Sequence, residues 1–476
     1  MAFSFYWHDY ETFGADPSRD WPCQFAGVRT DADLNVIGEP LVEYCKPPAD
    51  YIPKPQACLI TGITPQLALE KGLPEPEFIK RIHAELAASG TCGVGYNSIR
   101  FDDEVTRYSL YRNFYEPYGR EWQNGNSRWD IIDVVRMAYA LRPEDIEWPI
   151  GDNGQPTFKL ERLTAANGLS HEAAHDALSD VHATIDFAKL IKKTKPRLYD
   201  YALSLRQKKT VLEVINLQQA KPFLHISSKY PASQGCCAIV MPIGMHPTNP
   251  NGVVVVDLAQ NPNEWKDASV GEIQRRLYTA QAELGDETRI ALKTIHINKS
   301  PMVATIKLLD DKQAQRLGID VDACMSHWQA LQKLDKVSFQ RLLDAVRPAQ
   351  WPDQDVDQQL YNGFFDGADK QLITAVHNSS PEELIRENFP FTDKRLPELL
   401  FRYKARNWPG ALNDKERNYW QRHCLTRLEQ PSEIKPYTLE HYFEEIDALM
   451  AAQPSPQHYQ ILEQLQNYGD DLLAGA

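Results

Sequence analysis

Apolar and polar positions follow two rhythms along this chain, and the first of them ends in acid. Phe3 to Trp7 is a short aromatic-rich run, followed by Thr12, Phe13 and Gly14, which predicts a buried strand ending near Glu11. Side chains alternate across a strand, so Asp9 and Glu11 are expected on one face and Tyr10 on the other. The segment VGYNSIRFDDEVTRYSLYRNFY predicts a strand ending near Tyr96, a loop, and a helix from about Asp103. DIIDVVRMAYALR places Ile131, Val134, Val135, Ala138 and Leu141 at helical spacing. HDALSDVHATIDFAKLIKKTKP reads as a further helix, stopped by its basic end and Pro196. Strands followed by covering helices point to an α/β domain with a mixed sheet.

After about residue 205 the pattern changes. CCAIVMPIGM and GVVVVDLA are β-type runs separated by the turn-type HPTNPN, and ALKTIHI adds another strand. A small β domain with helices in QAQRLGI, HWQALQKL and FQRLLDAV is expected over roughly 206–345. WPDQDVDQ, polar and containing Pro352, reads as a linker. Helical patterns dominate beyond it, so the chain divides into regions 1–195, 196–350 and 351–476.

Composition narrows the classes. A length of 476 residues implies two or three domains, and 42% hydrophobic with 10% aromatic residues describes a globular protein. No apolar stretch is long enough for a membrane span, and the acids at positions 9 and 11 come too early for a signal peptide. The eight cysteines show no paired metal-ligand spacing, which suits free thiols in a reducing cytoplasm. The net charge of −14 argues against a protein that coats nucleic acid through bulk electrostatics. Any such function must rest on clustered Lys and Arg, and on metal ions that neutralise carboxylates facing phosphate.

The acidic positions are where that chemistry could lie. Two carboxylates on one strand face suit a hard divalent cation, although Asp and Glu also decorate strand ends without one. Asp102 and Asp103 open a helix, where capping is the competing role. His175 and Asp180 form a His-x-x-x-x-Asp spacing, weak evidence when taken alone. Jointly the set changes meaning, because four carboxylates in one pocket repel unless cations sit between them.

This combination resembles the histidine branch of the DEDD exonuclease superfamily: Asp9 and Glu11 in HDYETFG, Asp102 in GYNSIRFDDEVTR, His175 and Asp180 in HDALSDV. LITGITPQ, YRNFYEPY, NSRWDIIDV, ALRPE, HINKSP and LYNGFF extend the likeness along the chain to the bacterial exonuclease I family, whose members degrade single-stranded DNA from the 3′ end. The resemblance implies an α/β ribonuclease H-like exonuclease domain, an SH3-like β domain with helices, and a C-terminal helical domain. It also implies a monomer of the bacterial cytoplasm with a role in DNA repair and recombination.

By the same resemblance, Asp9, Glu11, Asp102 and Asp180 hold two Mg²⁺ ions, for which Mn²⁺ can substitute, with Glu11 also reaching the substrate. Ions roughly 3.5 to 4 Å apart can stabilise the attacking and leaving oxygens of an in-line displacement. His175, whose ordinary pKa is about 6.5, is suited to take the proton of the attacking water, and the product is a 5′-mononucleotide. His171 and His182 read as surface or packing residues.

Arg107, Arg112, Tyr115, Tyr118, Trp122, Arg128 and Trp129 interleave cations with rings, a mixture that suits single strands, although several of the rings are expected in the core. The resemblance selects Arg107, Tyr118, Trp122, Arg136 and Lys159 as DNA contacts, and Lys208 in RQKK continues the track. FRYKARNW and KERNYWQR read as helix packing. A partner is also implied: the acidic, Phe-ended C-terminal tail of single-stranded DNA-binding protein. That tail needs a basic pocket with an apolar floor, and Arg142 is the expected contact for its carboxylate. Asp310 and Asp311 stand where added positive charge is expected. Two rival functions remain, an RNA-trimming relative and a binding protein with an inactive nuclease domain. The regions after 205 argue against the first, and the intact acidic set against the second.

Overall fold

Strand β1 forms where the aromatic run predicts it, over Ser4–Thr12. The computed structural model describes residues 3–171, 176–346, 354–432 and 437–475. Two compact units divide the chain: 1–126 with 172–182 and 351–476, and 127–171 with 183–350.

In the first unit β1 pairs antiparallel with β2 (Pro22–Thr30) and parallel with β4 (Thr91–Gly95), and β2 pairs antiparallel with β3 (Leu41–Tyr44). The order β3-β2-β1-β4 is the expected mixed arrangement. One face of β1 and β2 presents Tyr6, Tyr10 and Phe25 to Phe78, Ile79 and Ile82 of helix α1 (Glu75–Leu86). Burying those rings on one side commits Asp9 and Glu11 to the other, since the strand period is two. Helix α2 runs over Asp102–Arg112, one residue ahead of the predicted start, with both aspartates in its first turn. Helix α3 covers Ala177–Thr194 and its opening turns belong to this unit.

The C-terminal helices share a core with the front of the chain: Leu428, Tyr442, Leu462 and Leu465 pack with Phe13, Trp21 and Tyr51. A buried ionic network reinforces them. Arg402 bonds Asp355 at 2.6 Å and Asp357 at 2.9 Å, while Arg406 bonds Asp50 at 2.7 Å and Asp357 at 2.6 Å. This corrects the linker expectation for the described part of WPDQDVDQ. Val356–Tyr361 is a 3-10 helix, and Asp357 and Gln358 are buried, because polarity there serves ion pairing and not solvation.

The second unit holds the Ser127–Asp130 strand, the amphipathic helix Ile131–Leu141 capped by the Asp130 side chain, and an antiparallel sheet. Its order is Met302–Thr305, Phe223–Ile226, Cys237–Met245, Gly252–Asp257 and Leu292–His296. Helices follow at Asp311–Leu317, Val321–Leu331 and Lys336–Ala345, as their apolar periodicity predicts. Among the described residues no helix is long and apolar enough to cross a membrane, and all eight cysteines are buried.

Candidate active site

Asp9 and Glu11 leave the same face of β1, and the first turn of α3 brings Asp180 to them. Each of the three places a carboxylate oxygen within 4.8 Å of the others. Burial, and then the charges of Asp102, Glu11, Asp180 and Asp176, push the Asp9 carboxyl well above the ordinary range. Burial likewise raises Glu11 to about 8, with Asp180 and Asp102 the next causes. A cluster that resists ionisation in this way is suited to a cation, and an all-oxygen donor set fits a hard ion such as Mg²⁺ or Mn²⁺.

The structure separates the two adjacent aspartates of α2. Oδ1 of Asp102 accepts the backbone N–H of Tyr10 at 2.9 Å, which sets this carboxylate beside β1. Asp103 turns away and pairs with Arg120 at 2.7 Å in a fully buried contact. Asp102 therefore joins the electrostatics of the cluster, but it is not one of the three residues whose oxygens converge. His175 lies outside the described residues. His171 is 3.3 Å from the Thr164 hydroxyl and His182 is exposed, in keeping with packing and surface roles.

The expected strand contacts differ in character. Trp122 is 67% exposed, and Tyr118 is half-buried. Arg107 is buried and committed: its guanidinium bonds both oxygens of Glu121, at 2.7 and 2.8 Å, and Glu104 at 2.6 Å. Arg112 pairs with Glu75 at 2.6 Å and lies 4.1 Å from the Trp21 ring, Tyr115 meets the His377 ring in a tilted contact with centroids 4.0 Å apart, and Trp129 is fully buried. Arg128 is buried and reaches the Asn298 carbonyl. Arg112, Arg128 and Trp129 are committed to packing, whereas Tyr115 is half-buried. In the second unit Arg136 is buried and bonds Asp133 at 2.7 Å, Lys159 is exposed, and Lys208 reaches Asn251 at 2.7 Å from an exposed helix start.

Arg142 lines a cavity of about 580 Å³ in the second unit, together with Met137, Leu141, Lys195, Leu198 and Tyr201. The lining is mostly apolar with Arg142, Lys195 and Arg197 as its cations, a combination that suits a chain end bearing an apolar side chain and a main-chain carboxylate. Asp310 caps the helix Asp311–Leu317 by accepting from Gln313, and neither Asp310 nor Asp311 lines this cavity.

Sequence reasoning missed two residues beside the ring track. Tyr361 donates to Glu104 and accepts from Arg107, and Phe364 is 83% exposed with its ring 5.9 Å from that of Tyr118. The signal was LYNGFF, whose aromatics carry no spacing that distinguishes a surface ring from a packed one.

Comparisons with known proteins agree with this arrangement. An exonuclease family model matches residues 6–188, an exonuclease I SH3-like domain matches 206–346, and an exonuclease I C-terminal domain matches 354–472. Exodeoxyribonuclease I of Escherichia coli K12 is 46% identical over 422 residues, covering 88% of this chain and 89% of its own. Exonuclease I of E. coli in complex with a dA16 oligonucleotide superposes with a TM-score of 0.94 at 43% identity, covering 99% of this chain and 100% of that one. The zinc-ion-bound form of the E. coli enzyme with single-stranded DNA gives the same TM-score, identity and coverage.

Proposed function

The chain belongs to the exonuclease I family, and on that premise we propose that it is an exodeoxyribonuclease that degrades single-stranded DNA in the 3′ to 5′ direction with Mg²⁺. The observation that carries this reading is the meeting of Asp9, Glu11 and Asp180 from two elements far apart in sequence. With Asp102 as the fourth carboxylate, these residues would hold two Mg²⁺ ions, or Mn²⁺ in their place. The ions would neutralise the cluster and draw charge from the scissile phosphate. Glu11 would serve the substrate as well as the metal. His175 takes the proton of the attacking water, a role that rests on the family resemblance, and 5′-mononucleotides are released.

Trp122 and Tyr118 stack on bases, and Lys159 and Lys208 meet phosphates. Arg107 and Arg136 keep their neighbouring carboxylates in place and reach phosphate by exchanging those partners. The Arg142 cavity takes the Phe-ended tail of single-stranded DNA-binding protein. An exonuclease domain to residue 195, an SH3-like domain over 196–350 and a helical domain from 351 complete the reading. It also includes a monomeric protein of the bacterial cytoplasm, acting in DNA repair.

The test compares end-labelled single-stranded DNA, duplex DNA and RNA with Mg²⁺ present. Mononucleotide release from single-stranded DNA is expected, and a preference for RNA would sink the reading. Asp9→Ala and His175→Ala should bind the strand and fail to shorten it.

A further inference from the structure

Gln24 stands directly opposite Glu11 in the register of β1 and β2, so the two side chains leave the same face of the sheet. It is 2% exposed, and a buried amide must find partners for both its donor and its acceptor. Both partners lie at the start of α3. Oε1 accepts the backbone N–H of Ala177 at 3.3 Å, and Nε2 donates to Oδ1 of Asp176 at 3.4 Å. The reverse orientation of the amide would set a donor against a donor, so these partners define which atom is oxygen.

Both oxygens of Asp176 are engaged in turn. Its Oδ2 accepts the N–H of Ser179 at 3.2 Å, and its carbonyl accepts the N–H of Asp180 at 3.0 Å. The fifth acidic side chain near the cluster thus bonds the helix start and is not among the three whose oxygens converge. Asp180 lies one helical turn beyond Asp176, so fixing the first residues of α3 fixes the third converging carboxylate.

We propose that Gln24 is a positioning residue for the metal centre. Its amide clamps the first turn of α3 to the sheet, holds Asp180 against Asp9 and Glu11, and keeps the Asp176 carboxylate turned to the helix end. The inference rests on the reading of Asp9, Glu11 and Asp180 as metal ligands. Residues that orient ligands from behind typically change metal affinity or activity by ~10–100-fold when replaced.

The test uses Gln24→Met, which keeps the length of the side chain and removes both hydrogen bonds. Mn²⁺ binding is measured by calorimetry on the full chain, and amide hydrogen exchange at residues 177–180 is measured without metal. The expected result is a ~10–100-fold weaker Mn²⁺ affinity with faster exchange at those amides. The melting midpoint in chelator should fall modestly, because the Ala177 N–H loses its acceptor, while the affinity for an oligonucleotide in chelator stays close to that of the natural sequence. Gln24→Glu combined with Asp176→Asn exchanges donor and acceptor across the same contact and should recover Mn²⁺ affinity lost in Gln24→Glu alone. Asp176→Asn by itself gives the reading from the helix side should Gln24→Met fail to fold. Unchanged Mn²⁺ affinity in folded Gln24→Met overturns the inference. So does a loss matched by equal losses of thermal stability and oligonucleotide affinity, which marks a merely structural residue. Asp9→Ala run alongside separates the two readings. If it leaves Mn²⁺ binding intact, the metal centre itself is wrong; if it abolishes binding while Gln24→Met changes nothing, only the role of Gln24 fails.

Discussion

The backbone N–H of Tyr10 donates to Oδ1 of Asp102 at 2.9 Å, tying the residue between Asp9 and Glu11 to the first turn of α2. Thr106, one turn on, donates its hydroxyl to the Asp102 carbonyl at 2.8 Å and lies 3.1 Å from the Tyr10 hydroxyl. One carboxylate thereby does two things: it fixes a strand to a helix through one oxygen and adds charge to the cluster. The two roles can be separated, since Asp102→Asn keeps an oxygen acceptor and removes the charge. Folding should survive with a melting midpoint near that of the natural sequence, while Mg²⁺-dependent nucleotide release falls ~100-fold or more. Asp102→Ala should lose stability as well, by about 1–3 kcal/mol, because the Tyr10 N–H is left buried without its acceptor. Thermal melting and single-turnover release measured on both variants check this.

Mutual repulsion among the clustered carboxylates is relieved when a cation binds the folded chain and not the unfolded one. Added Mg²⁺ should therefore raise the melting midpoint. At a hundredfold excess over Kd the linkage is about 2.7 kcal/mol. Asp9→Ala should abolish the shift, and differential scanning fluorimetry with and without chelator reads it directly.

The ionic network under the C-terminal helices predicts a pH dependence. Arg406 beside Asp50, and Arg406 with Arg402 beside Asp357, hold both carboxyls well below their ordinary value of 3.8 despite burial. On acidification the unfolded chain takes up these protons first. The stabilisation is thus fully present above the unfolded value and is lost as pH falls through the folded ones. Acid unfolding followed by circular dichroism should show this decline starting below about pH 5. Asp357→Ala should weaken it and destabilise the fold at neutral pH by about 1–3 kcal/mol, since Arg402 and Arg406 each lose one carboxylate while keeping Asp355 and Asp50.

Trp122 exposes its ring, and base stacking on such a ring contributes about 1–3 kcal/mol per base. Trp122→Ala should weaken binding of a labelled dT oligonucleotide accordingly, with Mn²⁺ affinity unchanged. Fluorescence anisotropy in chelator checks the first and calorimetry the second.

Arg142 offers its guanidinium beside an apolar lining. Arg142→Ala should weaken binding of an acidic peptide ending in phenylalanine by ~10-fold or more, and amidation of the peptide's C-terminus should weaken binding to the natural sequence similarly. Anisotropy of a labelled peptide distinguishes these outcomes.

Much of this molecule was determined by the sequence alone, for reasons that are local. A run of aromatic residues ending in Asp9-Tyr10-Glu11 specifies a strand with two acids on one face, because the alternation of side chains is a property of the extended backbone. The helices at Ile131–Leu141 and Ala177–Thr194 follow from apolar spacing, and the family motifs place every converging carboxylate on a legible element. What the tertiary structure decided is which polar groups meet. Asp102 and Asp103 are alike in their local pattern, and although the family motif singles out Asp102, the physical reason is tertiary: Tyr10 claims one and Arg120 the other. Arg107 and Arg112 read as free cations until Glu104, Glu121 and Glu75 cover them, and WPDQDVDQ reads as a linker until Arg402 and Arg406 arrive from nearly fifty residues away. Gln24 carries no sequence signal, because its two partners lie 152 and 153 residues away. Periodicity reports how a residue sits on its own element, whereas pairing between buried charges depends on distances that exist only once the elements have packed.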